Sequence, residues 1–366
     1  MIYAAPLLFL GPDRVIEHGA LYVEGGRVVT TGREEALRAR FPGAPIRRFS
    51  TYLGPEAANA HTHLDLGPGP TFKGPFMDFV LKAVFPKNAE RGVGLAREAA
   101  KMTPQRALGD IAATDVKTVE WWLLEAPFSG VVYWEVLGIG DRAFEERLLA
   151  ETKALIRRLK RLERPGGPRL GLSPHAPYSL TPRLMKEAVA LAWEEGLPLQ
   201  IHAAESPAEA MYFKERQGPI AEFHRQRGIP LDLHPVGLSP IAYLAELGVL
   251  EARPTLIHGV QVDAADLGML ADAGVRVVSC PRSNVNLEAG LPPYDLYQAR
   301  GVPLALGTDS ALSAESLDVW DEVRFLTRQG VPAREAIRWA LAGYAVLGLE
   351  PPAIRPGTPE AELVGW

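Results

Sequence analysis

The sequence predicts an α/β protein: a (β/α)8 TIM-type barrel with a small β-sandwich domain built from both chain ends. Three observations carry this. From residue 54 to 350, short apolar runs alternate with helical patterns eight times. Residues 1–53 have a different texture, rich in β-branched residues and turn signals. The last residues, 351–366, again read as loop and strand. Apolar strands alternating with helices are the pattern of parallel strands buried on both faces, and the barrel is their simplest closure.

Each element follows in order. "ALYVEGGRVVTTG" places two β runs around Gly-Gly, a hairpin signal. "PIRRFSTYLGP" reads as a further strand. The barrel strands are expected in "AANAHTHL", "GDIAATD" (109–115), "GVVYWEVLG" (130–138), "RLGLSPHAP" (169–177), "LPLQIHAAE" (197–205), "PTLIHGV" (254–260), "VRVVSCP" (275–281) and "VPLALGTDS" (302–310). Helical patterns follow most of them, such as "TPRLMKEAVALAWEEG" after the fourth. The segment 206–253 is long for a connection and can cover a site. "ELVGW" at the end reads as a strand returning to the N-terminal layer. The domains are then 1–53 plus 351–366, and 54–350.

Composition narrows the function. The chain of 366 residues carries a net charge of −5, which points away from nucleic acid. The basic run "RRLKRLER" (157–164) ends a helical pattern and reads as a solvated face. The N-terminal "MIYAAPLLFL" lacks a basic flank and breaks at Gly-Pro-Asp, so neither a signal peptide nor a membrane span is expected. One cysteine, Cys280, excludes a disulfide framework and fits a cytoplasmic protein. A homo-oligomer is left open.

The polar residues fall at the strand ends, where barrel active sites lie. His61 and His63 end the first strand, one residue apart and therefore pointing the same way. His175 ends the fourth, His202 and Glu205 the fifth, His258 the sixth and Asp309 the eighth. Five of the eight histidines are in this set. Singly, each reads as a hydrogen-bonded structural residue, and Asp309 as a helix cap. Together on one face of one barrel they point to a metal site, imidazole being the commonest metal ligand.

The His-x-His of "NAHTHL", His202 in "IHAAE", His258 in "LIHGV" and Asp309 in "GTDS" make the chain resemble the amidohydrolase superfamily over essentially its whole length. The segments "HAAE", "SPHAPYS" and "CPRSNVNL" look like its adenosine-type deaminase branch. "NAHTHLDL" and "CPRSN" are similar to the aminodeoxyfutalosine deaminases of menaquinone biosynthesis, whose substrate joins an adenine nucleoside to a benzoate. S-adenosylhomocysteine or methylthioadenosine deamination is the second reading; guanine deamination and triazine dechlorination stand further back. A catalytically dead barrel would show a lost ligand or acid, and none is lost.

The resemblance implies one divalent ion held by His61, His63, His202 and Asp309. The fourth strand lacks the lysine that bridges two metals in other members. Zinc is the default for such ligands, and iron or manganese also suit them. The resemblance further implies a metal-bound hydroxide that attacks the amino-bearing ring carbon. Asp309 and His258 take the water's proton, and Glu205 protonates the ring nitrogen. His175 and Arg282 are expected at the substrate. Phe79 and Val80 stand where relatives carry a Trp-Leu pair, and Lys73, Lys82, Arg91 and Arg282 are candidates for a cationic rim.

Overall fold

The computed structural model describes residues 1–113 and 115–366. The opening residues form β1 (Ile2–Gly11), β2 (Arg14–Glu24), β3 (Arg27–Arg33), β4 (Ile46–Arg48) and β5 (Tyr52–Gly54). The β2–β3 hairpin turns at Gly25 and Gly26, both with positive φ (58° and 71°), as a tight primed turn demands. The expected sandwich is, by hydrogen bonding, one six-stranded sheet. The reason is the length of β1. Its first residues, Ile2–Ala4, pair with β4, and Leu7 and Leu8 further along the same edge pair with β5. "PIRRFSTYLGP" accordingly supplies two short strands rather than one. Both sheet faces are apolar. Ile2, Ala4 and Ala20 pack under the helix Glu34–Arg40, while Leu8, Leu10, Leu21 and Val28 pack with Ile354.

Eight strands follow: β6 (Asn59–Thr62), β7 (Ala107–Ala112), β8 (Ser129–Val136), β9 (Arg169–Pro174), β10 (Gln200–Ala203), β11 (Thr255–His258), β12 (Arg276–Ser279) and β13 (Leu304–Leu306). The last strand, β14 (Val364–Gly365), returns to pair with β5, so both chain ends build the N-terminal sheet. Each of the eight expected barrel runs overlaps one of these strands, β7 and β8 beginning slightly before theirs. Thr114, within the second run, lies outside the described residues.

The strands form two parallel quartets in chain order, β6–β9 and β10–β13. The quartets meet through single parallel bridges, Leu172↔Leu199 and Thr62↔Asp309, where a continuous ladder was expected. Prolines explain one thin seam: Pro174 ends β9 and Pro198 precedes β10, and neither has an N–H to offer. At the other, the β6–β7 register shifts between Asn59 and Thr62, and Asp309 turns away with φ 64°.

Helices cover the outside, several opening on a side-chain cap just past a strand. Asp115, Asp141, Thr181, Ser206, Asp263 and Asp318 each accept from a backbone N–H of the following first turn. Arg157 and Arg158 of the basic run pair with Glu194, Glu195 and Glu120, while Lys160 and Arg164 donate to backbone carbonyls. Among the described residues, no helix is long and apolar enough to cross a membrane. The segment 206–253 carries helices Pro207–Glu215, Gly218–Gln226 and Pro240–Glu246; its residues Ile220, Phe223 and Arg227 line the main cavity.

Candidate metal centre

The strand ends converge as expected. A ligand-type atom from each of His61, His63 and His202 lies within 4.8 Å of the other two. The Nε2 atoms of His61 and His63 lie 3.9 and 3.7 Å from Asp309 Oδ1. His61, His202 and Asp309 are buried, and His63 nearly so.

Three of the site's rings have their tautomer set from behind. His61 Nδ1–H donates to Gln200 Oε1 (3.1 Å), and the Gln200 amide is oriented by its own donation to Ala60 O (2.9 Å). His202 Nδ1–H donates to His175 O at 3.0 Å, and His258 Nδ1–H to Asn284 Oδ1 at 2.8 Å. Each ring therefore points an Nε2 lone pair inward. Burial pushes the His61 imidazole down to about 4 and holds His63 and His202 well below the usual range. All three are neutral at pH 7, as ligation requires.

The donor set fits a divalent cation. His61 Nε2 is buried without a hydrogen-bond partner. The Nε2 atoms of His63 and His202 face one another at 3.3 Å. That separation suits two imidazole nitrogens that share one tetrahedral cation at about 2.0–2.1 Å each. Asp309 supplies the charge. Burial pushes its carboxyl up, but the imidazoles of His63, His258 and His61 and the Ser283 hydroxyl together hold it below the ordinary value.

The backbone bends where it presents these groups. Ala204, His258 and Asp309 all have positive φ (52°, 73° and 64°), unusual for residues with a Cβ. Both Thr308 N–H and Asp309 N–H donate to His61 O (3.1 and 3.0 Å), locking the eighth strand's turn onto the first strand. Behind His63, Asp110 accepts from Leu64 N–H, the Thr62 hydroxyl and Trp122 Nε1–H.

Glu205 lies buried beside this cluster, its Oε1 3.5 Å from His258 Nε2. Burial, reinforced by Asp309 and Glu209, raises its carboxyl well above the ordinary value and so favours the protonated form. Glu209 accepts from Glu205 N–H (2.8 Å) and steadies the turn. His175 also reaches the cavity, its Nδ1 bonded to Ser179 Oγ at 2.8 Å.

The cavity in front of these residues has a volume of about 640 Å³. Phe79 and Val80 line it, as expected of the residues standing in for the apolar pair. Arg282 does not. Its guanidinium donates to Glu322 Oε1 (2.8 Å) and to Ser316 Oγ and O (3.2 and 2.9 Å). The expectation that it meets substrate is corrected on that ground: the arginine follows the seventh strand but turns back to a buried carboxylate. The rest of the expected rim is also paired. Lys73 meets Glu315 and Lys82 meets Asp78, while Arg91 is held twice by Asp65 at 3.0 Å.

Residues that sequence reasoning passed over complete the site. Gln200, Asn284 and Ser283 orient the histidines and Asp309, but polar residues next to strand ends carry no signal of their own. Glu135 had one, a carboxylate inside the apolar run "GVVYWEVLG". It lines the cavity, burial pushes it up to about 7, and it lies 4.0 Å from His175 Nε2.

Parallel strands carrying His-x-His, two further histidines and an aspartate at their ends define a metal-dependent hydrolase class. The chain belongs to the amidohydrolase family, whose pattern matches residues 55–357; residues 19–44 also match an imidazolonepropionase-like composite domain of bacteria. Among its relatives is the aminodeoxyfutalosine deaminase of Deinococcus radiodurans, 36% identical over 98% of this chain and 88% of that protein. A 5-methylthioadenosine/S-adenosylhomocysteine deaminase of Nitratidesulfovibrio vulgaris is 29% identical over 84% of this chain and 67% of its own length. The crystal structure of Helicobacter pylori aminofutalosine deaminase superposes with a TM-score of 0.73 over 99% of this chain and 90% of that one, at 22% identity, a likeness of fold.

Proposed function

We propose that the chain is a metal-dependent hydrolase that deaminates an adenine-type nucleoside and releases ammonia, with aminodeoxyfutalosine as substrate. The observation that carries the reaction type is the buried Glu205, its carboxyl raised by burial, 3.5 Å from His258 at the edge of the candidate metal centre. The relative in Deinococcus radiodurans supports the substrate. We assign His61, His63, His202 and Asp309 as ligands of one ion and take zinc as its identity. The N-terminal sheet with residues 351–366 serves as a supporting domain, and residues 54–350 carry the chemistry.

A divalent cation bound there supplies the Lewis acidity that makes a water nucleophile available near neutral pH. Asp309, kept ionised by the surrounding imidazoles, accepts the attacking water's proton. His258 Nε2, its lone pair aimed inward, shares that proton with Asp309, and the imidazolium it then becomes hydrogen-bonds the oxygen on which charge develops. Glu205 gives its proton to the ring nitrogen beside the attacked carbon, so negative charge does not build there. The proton held by Asp309 passes to the amine as its C–N bond breaks, the hydroxyl left on the carbon returns its proton to Glu205 as the carbonyl forms, and ammonia leaves. Such acid–base assistance contributes roughly 10²–10⁴ in rate. His175 and Glu135 face the cavity as substrate contacts.

The test is an ammonia-release screen of the metal-loaded protein, with metal analysis, over aminodeoxyfutalosine, S-adenosylhomocysteine, methylthioadenosine and adenosine. Fastest turnover of aminodeoxyfutalosine is expected. A preference for S-adenosylhomocysteine moves the assignment to the second group of relatives, and metal binding without ammonia from any nucleoside overturns it.

A further inference from the structure

Two arginines line the cavity, Arg91 and Arg227, and only one is committed. Arg91 is held bidentate by the buried Asp65. Arg227 has no acidic side chain within 4.0 Å, and its guanidinium makes no hydrogen bond, among the described residues. It is not loose, however. Its guanidinium carbon sits 4.5 Å from the Phe223 ring centre and 5.1 Å from that of Phe85, and the two rings lie 5.9 Å apart. Stacking against two aromatic faces restrains a planar cation and leaves its edge N–H groups available to an acceptor.

Much of the cavity lining is apolar: Phe76, Phe79, Val84, Ile220, Leu137 and Ile139 contribute to it. A sleeve of this kind suits a flat hydrocarbon or aryl group. A guanidinium with unused donors at such a sleeve suits a carboxylate, which it can bind through two parallel hydrogen bonds.

Resting on the deaminase reading above, we infer that Arg227 is the specificity-determining residue for an anionic group on the arm of the nucleoside. The substrate class is an adenine nucleoside whose 5′ arm ends in an aryl carboxylate. The base enters toward Glu205 and His202, the aryl group occupies the apolar sleeve, and the carboxylate meets Arg227. The segment 206–253, whose helix Gly218–Gln226 ends just before Arg227, is the part of the barrel that reads the arm.

The experiment compares aminodeoxyfutalosine with its methyl ester, which keeps the shape and removes the charge. Dissociation constants are measured by calorimetry on the metal-loaded wild type, Arg227→Gln and Arg227→Lys, using conditions too brief for turnover or the catalytically impaired Glu205→Gln background. Wild type should prefer the acid by roughly 10- to 100-fold, the value of a charge-assisted hydrogen bond. R227Q should bring that ratio to near one, R227K should restore part of it, and added salt should shrink it in wild type. A wild-type ratio near one, or a ratio that survives R227Q, overturns the assignment. Because the readout is binding, it can fail while ammonia release stands. Conversely, absent turnover with the preference intact removes the deaminase reading and leaves Arg227 as an anion contact.

Discussion

Asp309 and Glu205 are the same kind of group in the same cavity, and their surroundings push them apart. Asp309 sits among imidazoles and a hydroxyl donor that hold its carboxyl below the ordinary value; Glu205 sits in apolar burial near other carboxylates that raise its own. Glu205→Gln should therefore retain the metal stoichiometry but lose about 10²–10⁴ of the ammonia-release rate, measured by metal analysis and steady-state kinetics. Full activity in that variant would remove the acid role. Gln200→Leu tests the support behind His61. It deletes the acceptor that fixes the ring's tautomer, and metal affinity should drop about 10- to 100-fold in competition with a chelator. The ligand histidines were legible in the sequence because strand alternation puts 61 and 63 on one side. Arg282 does not face the cavity because a cation's use depends on which carboxylate reaches it first, and Glu322 lies forty residues further along the chain.

At the scale of elements, the eighth strand is pressed onto the first. A Cβ placed on Gly307 would lie 2.7 Å from His61 Cβ and 2.8 Å from His61 N. Gly307→Ala should cost about 1–3 kcal/mol, read by denaturant unfolding, and should lower metal content by shifting His61 and Asp309 apart. Gly268 is the contrast, in the helix Ala264–Ala273 with open space where a Cβ would stand. Gly268→Ala should stabilise by about 0.4–1 kcal/mol, seen as a higher melting temperature with metal content unchanged. The strands themselves were legible from composition, since apolar runs bounded by turn residues have few other uses. Their ends were not, because Ala204, His258 and Asp309 leave the strand geometry in a conformation their residue types disfavour.

Over the whole molecule, burying neutral imidazoles ties stability to pH. Burial pushes His61, His175 and His224 down to about 4, below the 6.5 of an exposed ring. The unfolded chain therefore binds more protons than the native one between pH 6.5 and 4. Stability is fully present above 6.5 and is lost as pH falls through that window. Melting temperatures of the metal-free protein should drop steeply from pH 6.5 to 4 and change little from 7 to 8. A bound divalent cation competes with protons for the same nitrogens, so the fall should begin at lower pH in the metal-loaded protein.

By itself the sequence determined the alternation of strand and helix, the return of the last strand to the first layer, and the histidines, aspartate and glutamate at strand ends. These follow from periodicity and local chemistry, which short windows contain. Only the tertiary structure decided that one long strand pairs two partners along a single edge, that prolines thin a barrel seam, and which arginine lining the cavity is left without a carboxylate. Each is a contest between groups distant in the chain, and its outcome depends on which of them the fold brings within bonding distance.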